Sequence, residues 1–156
     1  MYTNTFNGLE MLKIAITMEE EGFKFYTEGA KNTSGDVKEF LTAAAAQEWV
    51  HKEVFSKQYE GLLNEKGDTY EYIFDSEVSA YLKALIENKV FDNEEKNKNA
   101  FKDFKSAVEQ SVKSEELTVS VYEKMYEGIT NPEAKAIMEK IINEEKAHVT
   151  YFKSLL

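Results

Sequence analysis

Hydrophobic residues recur along most of this chain at alternating spacings of three and four residues, a period typical of amphipathic α-helices. The pattern predicts four long helices, at residues 7–31, 36–66, 103–127 and 132–156. The alternation that is typical of strands is nearly absent. The predicted fold class is therefore all-α.

The lengths of the connections predict how the four helices are arranged. Residues 32–35 and 128–131 are short joins, so the first and second helices, and the third and fourth, are expected to form antiparallel hairpins. About 35 residues link the two hairpins, and within this link residues 76–89 and 93–101 are predicted to form short helices. An antiparallel four-helix bundle with one long crossover that contains a short helix is the ferritin-like topology.

Composition narrows the class of protein further. A chain of 156 residues fits a single domain, residues 1–156. The formal net charge of −10 argues against nucleic acids and anionic membranes as partners, since both attract an excess of Lys and Arg. The absence of cysteine excludes disulfides and thiol catalysis. Neither a signal peptide nor a membrane span is visible, so a cytoplasmic protein is expected.

The only two histidines of the chain close the same four-residue pattern, Glu-x-x-His, in which both side chains share one face of a helix. The two motifs are 97 residues apart, and inward-facing glutamates 96 residues apart precede them on the first helix of each predicted hairpin. Each hairpin is thus one copy of an internal repeat. The predicted metal ligands are Glu19, Glu48, His51, Glu115, Glu145 and His148.

Four carboxylates at one level of a helical bundle would repel one another and lose their hydration, so they require compensation. The predicted inner faces carry neither Lys nor Arg. Two divalent cations balance four carboxylates in formal charge, which predicts a binuclear metal site. Carboxylate oxygens with one imidazole nitrogen per metal suit Fe, Mn or a mixed pair better than structural Zn, which prefers Cys and His.

Two alternatives to this ligand set are a chance occurrence of the motifs and a different helix register. A single Glu-x-x-His on a helix is mostly an exposed coincidence, but two motifs that use every histidine are harder to explain in that way. Glu20 or Glu116 would replace its neighbour as a ligand if the helix register shifted by one residue. The apolar frame favours Glu19 and Glu115, and it assigns Glu20, Glu21, Glu116 and Glu144 to the solvated face.

Two tyrosines and a tryptophan accompany the predicted ligands. Tyr26 and Tyr122 follow the first-helix glutamates by seven residues and so share their face. They are interpreted as core residues whose hydroxyls bond to a ligand carboxylate, with redox-active tyrosines as the alternative. Trp49 directly follows Glu48, so it is expected to point away from the metals and to pack laterally.

With these residues located, nearly the whole chain resembles the rubrerythrin-like branch of the ferritin-like superfamily. The resemblance implies two bound irons that react with hydrogen peroxide or oxygen, often in a peroxidase that protects anaerobes against oxidative stress. It also implies bridging roles for Glu48 and Glu145, and a homodimer. The segments that carry it are residues 19–26, Gln47-Glu48-x-x-His51, residues 81–85, Val90-Phe91, residues 115–122 and Glu144-Glu145-x-x-His148.

The chain departs from the family pattern in two ways. Rubrerythrins proper carry a C-terminal rubredoxin domain that feeds electrons to the diiron site, whereas this chain ends at Leu156 and has no cysteine. An external donor, such as a separate rubredoxin, is therefore expected. Rubrerythrins also place an additional Glu three residues after the third-helix ligand, where this chain has Thr118. The sequence accordingly supports six ligands rather than seven.

The leading functional hypothesis is a non-haem diiron oxidoreductase. Its reduced site would give two electrons to hydrogen peroxide, or to oxygen, and an external donor would restore them. Proton delivery would come from a carboxylate or a tyrosine hydroxyl. The first alternative is a ferroxidase or iron-handling protein, and the second is a bundle whose metals are purely structural.

Overall fold

The computed structural model of the protein describes residues 8–66, 100–128 and 132–156. They form four α-helices: α1 (Gly8–Lys31), α2 (Gly35–Lys66), α3 (Phe104–Gly128) and α4 (Pro132–Ser154). The prediction of an all-α four-helix fold is confirmed, and the described residues contain no strand. The predicted crossover helix at residues 76–89, and nearly all of that at 93–101, lie outside the described residues.

Local interactions explain where two of the helices begin. The turn after α1 leads into Gly35, whose φ of 66° lies in the left-handed region that glycine tolerates best. Asp103 caps α3, because its Oδ1 accepts a hydrogen bond of 2.7 Å from the backbone N–H of Ser106. A carboxylate at this end also complements the positive end of the helix dipole.

The helices pack as two hairpins, α1 against α2 and α3 against α4, and the hairpins face each other. Their apolar residues form two buried clusters, one at each end of the bundle. The first cluster contains Leu12, Ala15, Met18, Phe55, Val121, Tyr122, Met125, Met138, Ile141 and Ile142. The second contains Phe25, Tyr26, Ala30, Val37, Leu41, Ala44, Ala45, Phe101, Ala107, Val108, Val112 and Phe152.

Between the two clusters lies a layer of buried polar residues. On every helix, these residues, with the exception of Ser111, occupy positions between those that join the first cluster and those that join the second. The layer contains Glu19, Glu48, His51, Ser111, Ser114, Glu115, Thr118 and Glu145. The apolar clusters therefore hold the bundle together at both ends and shield its polar centre from water.

Outside this layer, the tryptophan lies on the bundle surface. Trp49 is partly exposed, and its ring contacts that of Phe23 with a centroid separation of 5.2 Å. The ammonium of Lys52 lies 4.2 Å from the centre of the indole ring, within the range of a cation–π contact. Of the helices that the structure describes, none combines the length and apolar character that crossing a bilayer requires.

Two glycines within helices test how tightly the hairpins pack. A Cβ atom on Gly29 would lie 2.6 Å from the ring of Phe101, whereas a Cβ on Gly61 would meet nothing within 4 Å. We expect Gly29→Ala to destabilise the protein by about 1–2 kcal/mol, because overpacking outweighs the gain in helix propensity. Urea unfolding of the metal-free protein measures the effect.

Gly61→Ala is the matched control. It should stabilise the protein by about 0.5–1 kcal/mol, since alanine favours the helix and the new methyl group is free of contacts. If both substitutions stabilise the protein equally, Phe101 does not pack against Gly29 as closely as described here.

Candidate metal centre

The polar layer places four carboxylates from four helices together. Glu19 of α1, Glu48 of α2, Glu115 of α3 and Glu145 of α4 are each at least 95% buried. Each helix presents its glutamate inward because flanking residues on the same face join the apolar clusters. The structure therefore brings together the four glutamates that the repeat singled out.

Two tyrosines tie the hairpins together across this layer. The hydroxyl of Tyr26 on α1 donates to Oε1 of Glu115 on α3 at 3.3 Å. The hydroxyl of Tyr122 on α3 donates to Oε1 of Glu19 on α1 at 3.0 Å. Burial, and the nearby charges of Glu115 and Glu19 respectively, raise the pKa of both phenols well above 10.0, so both remain protonated donors.

The two histidines stack at the interface of α2 and α4, with ring centroids 5.0 Å apart. Nδ1 of His51 lies 2.7 Å from Oε1 of Glu145 and 3.6 Å from Oε1 of Glu19. Nδ1 of His148 lies 3.7 Å from Oε2 of Glu145. Donor atoms of His51, Glu145 and His148 lie within 4.8 Å of one another, close enough to share a metal ion.

Protonation in the metal-free protein shows how poorly this layer tolerates negative charge. Burial is the largest influence on Glu19, Glu48 and Glu115, and it raises the pKa of all three above the ordinary 4.5. Repulsion by the other carboxylates raises these pKa values further. Protons thus take up part of the charge that the layer cannot accommodate.

His51 supplies positive charge to this layer. Burial by itself would lower the pKa of this imidazole, but the contacts with Glu145 and Glu19 outweigh burial and raise it to about 11. Glu145 shows the reverse balance. Burial would raise the pKa of Glu145, but the contacts with His148 and His51 hold it below 4.5.

Several buried carboxylate oxygens of the layer accept no hydrogen bond. Oε2 of Glu19, Oε2 of Glu115 and both oxygens of Glu145 are buried without a well-formed hydrogen bond. The oxygens of Glu145 nevertheless lie near imidazole nitrogens, 2.7 Å from Nδ1 of His51 and 3.7 Å from Nδ1 of His148. No lysine is among the buried residues that the structure describes. Divalent cations fit this donor set, because they would satisfy oxygens that are otherwise left unpaired.

The neighbouring glutamates that a shifted register would have used lie on the surface. Glu20 pairs with Lys52 at 3.6 Å, and Glu116 pairs with Lys153 at 3.0 Å. Both side chains are about half exposed. The structure therefore gathers Glu19 and Glu115 into the polar layer and leaves their neighbours outside it.

Glu144 makes a contact with the candidate site that the sequence analysis did not predict. Its side chain is 41% exposed, as a solvated face implies, but its Oε2 lies 3.3 Å from Nε2 of His51. The sequence does carry a signal at this position. The second Glu-x-x-His motif is preceded by Glu144, whereas the first is preceded by Gln47.

Thr118 occupies the position of the additional family glutamate and makes a local bond. It is buried, and its hydroxyl donates to the carbonyl oxygen of Ser114 at 3.0 Å. Ser111 likewise donates to the carbonyl of Ala107 at 2.8 Å. The α3 side of the layer is thus lined with small hydroxyls rather than with a further carboxylate.

A four-helix bundle with a buried layer of glutamates and two Glu-x-x-His motifs defines a metal-binding protein of the ferritin-like class. The family model named Rubrerythrin matches residues 10–156, so the chain belongs to the rubrerythrin family. The resemblance noted from the sequence is thereby confirmed. Neither the curated proteins nor the solved structures provide a significant match.

Burial of unpaired carboxylates should cost stability when no metal is present. At pH 8 the unfolded chain ionises Glu115 freely, whereas the metal-free folded protein resists ionisation because its pKa is raised above 4.5. We expect metal-free Glu115→Gln to be more stable than the wild type at pH 8, by about 1–3 kcal/mol. The difference should fade as the pH falls below 4.5, because both the folded and the unfolded states then hold the proton. Urea unfolding at several pH values measures it.

Glu116→Gln, one residue further along α3, is the control for this substitution. Its side chain is half exposed, so it should change stability by less than about 0.5 kcal/mol. A metal-free Glu115→Gln protein that is less stable than the wild type at pH 8 would contradict the charge balance described here.

Metal binding should release protons, since metals and protons compete for the same atoms. The pKa values of Glu48 and Glu115 are raised well above 4.5 and that of His51 is raised to about 11, so each group holds its proton to a higher pH in the metal-free folded protein than in the unfolded chain. We expect Zn²⁺ added in weak buffer at pH 7 to acidify the solution, and metal affinity to rise with pH from 6 to 8. Titration with a pH electrode measures the protons that are released.

Glu48→Ala should abolish most of this binding, whereas Glu20→Gln on the surface should not. Wild-type protein that binds metal without proton release would show that the carboxyls are already ionised. Glu48→Ala protein that binds two metals normally would overturn the assigned ligand set.

Proposed function

We propose that this protein is a non-haem diiron oxidoreductase that reduces hydrogen peroxide, or oxygen, with electrons from an external donor such as a rubredoxin. The observation that carries the proposal is the set of buried carboxylate oxygens that lack hydrogen-bond donors. Such oxygens add nothing to the stability of the metal-free protein, so their presence points to a ligand that satisfies them. Membership of the rubrerythrin family supports iron as that ligand.

The six side chains proposed as ligands divide evenly between the two hairpins. Glu19, Glu48 and His51 come from the first hairpin, and Glu115, Glu145 and His148 from the second. Two ferrous ions held there would supply the two electrons that, with two protons, convert hydrogen peroxide to two molecules of water. Glu48 and Glu145 are proposed as the carboxylates shared by both ions, as in related proteins.

The residues around the ligands orient them and control protons. Tyr26 and Tyr122 hold the carboxylates of Glu115 and Glu19 through their hydroxyls, which fixes Oε1 of each and would leave Oε2 available to a metal. Each hydroxyl also holds a proton within hydrogen-bond distance of a proposed ligand carboxylate. The apolar clusters at both ends of the layer exclude bulk water, which would otherwise compete for the metals.

His148 lies at the most open part of the site. Its side chain is 21% exposed, compared with 7% for His51 and 1% for Glu145. A small oxidant such as hydrogen peroxide is therefore proposed to approach past His148. Reduction by a separate protein requires only electron transfer, so the donor need not reach the metals themselves.

Two further functions use the same ligands. A ferroxidase or iron-handling protein would oxidise ferrous iron with oxygen and then pass it on. Purely structural metals are less favoured, because the bundle already has an apolar cluster at each end. A homodimer, as in related proteins, is compatible with all three functions and forms part of the proposal.

The experiment is a stopped-flow comparison of oxidants. The protein is loaded anaerobically with Fe²⁺ and mixed with hydrogen peroxide or with oxygen, while the ferric absorbance is followed. We expect oxidation by peroxide to be at least tenfold faster, and reduced rubredoxin to return the absorbance to its starting value. Faster oxidation by oxygen would support the ferroxidase instead.

Two variants make the comparison specific to the proposed ligands. Glu145→Ala removes the carboxylate that contacts both histidines, so it should abolish the fast ferric signal. Glu123→Gln removes a surface partner of Lys146 and should leave the signal unchanged. Wild-type protein that gives no ferric signal with either oxidant would refute the diiron proposal.

A further inference from the structure

The two halves of the candidate metal centre are related by the sequence repeat, but they hold their histidines differently. Glu144 directly precedes Glu145 on α4, and its Oε2 lies 3.3 Å from Nε2 of His51 on α2. The Glu144 side chain is 41% exposed and that of His51 is 7% exposed. A carboxylate at the surface thus reaches the outer nitrogen of a buried imidazole on the other hairpin.

The other half of the centre lacks this contact. The repeat places Gln47 where the second motif has Glu144, and glutamine carries no charge. Among the described residues, Glu145 is the carboxylate within ion-pair distance of His148, and the contact is made by Nδ1. Nε2 of His148 has no carboxylate partner among the described residues. The His148 side chain is also three times as exposed as that of His51.

The difference bears directly on metal binding by the imidazoles. A neutral imidazole carries its proton on one nitrogen and binds metal through the other. A carboxylate that accepts the outer N–H fixes the tautomer and orientation of the ring, and it makes the inner nitrogen a stronger donor to the metal. In His51, Nε2 faces Glu144 while Nδ1 faces Glu145 and Glu19, as this arrangement requires.

We propose that Glu144 is a positioning residue that makes the two metal positions unequal. It fixes His51 with Nδ1 directed at the centre, so the position that includes His51 fills first and holds its ion more tightly. The position that includes His148 fills second and exchanges its ion faster. The proposal rests on the metal binding in the proposed function, but not on the identity of the oxidant or the donor.

Anaerobic titration of the metal-free protein with Co²⁺ tests this directly, with the visible absorbance of bound cobalt as the signal. We expect two binding steps in the wild type, with dissociation constants that differ by about 10–100-fold, the usual effect of such a partner on metal affinity. Glu144→Ala should weaken the tighter step by that factor and leave the weaker step unchanged. The two steps should then merge.

Two further variants separate positioning from general effects of substitution. Gln47→Ala alters the equivalent residue of the repeat and should leave both steps as in the wild type. Glu144→Gln keeps an oxygen acceptor without the charge, so it should recover part of the affinity that Glu144→Ala loses. Circular dichroism and urea unfolding of the metal-free variants should match the wild type, because the Glu144 side chain is 41% exposed and lies outside the apolar clusters.

Nuclear magnetic resonance of the Zn²⁺-loaded protein identifies the histidine concerned. The chain contains two histidines, so ¹⁵N-histidine labelling gives signals from two rings alone. We expect one ring to show an Nε2–H proton that exchanges slowly with solvent. Glu144→Ala should remove this signal, Glu144→Gln should retain it, and the second ring should be unaffected.

Three outcomes would overturn the assignment. The first is a Glu144→Ala titration that cannot be distinguished from the wild type. The second is an equal loss in both steps, or a similar loss in Gln47→Ala, since either would indicate a general structural effect. The third is wild-type protein that binds no cobalt, and this outcome alone would also remove the metal centre on which the proposed function depends.

Discussion

The constraint on which this structure depends is the shortage of positive charge in a layer of four buried carboxylates. Burial raises the pKa of three of them, and a protonated His51 supplies the nearby cation. Two tyrosine hydroxyls satisfy two of the oxygens, and others remain without a donor. The apolar clusters on either side must therefore offset the free-energy cost of burying these carboxylates. A bound metal cation would remove this cost by balancing their charge.

Much of this arrangement could be predicted because two independent periods coincide in the sequence. The helical period gave the four helices to within one or two residues, since turns and caps such as Gly35 and Asp103 interrupt it clearly. The repeat then paired the two hairpins, and the apolar frame favoured Glu19 and Glu115 over their neighbours. The contact of Glu144 was not predicted, because periodicity indicates which face of a helix a residue occupies but not how far its side chain reaches. Its contact with His51 depends on the spacing of α2 and α4, which no local pattern encodes.

The repeat also shows where the two hairpins have diverged. Small hydroxyl residues line the α3 side of the polar layer, and they correspond to Ala15, Met18 and Gly22 on α1. These residues around the ligands differ between the copies, while the ligand glutamates, the histidines and the two tyrosines are present in both. Selection for two positions with the same donors but different surroundings would leave this pattern.

The reciprocal tyrosine bonds have a further consequence. Each hairpin lends a hydroxyl to a glutamate of the other, residue for equivalent residue, which is the contact pattern of an isologous two-fold interface. A single ancestral hairpin that paired with an identical copy would have formed every one of these contacts. Because both hairpins belong to one polypeptide, this interface forms without the concentration dependence of a dimer, and either half can change without the other.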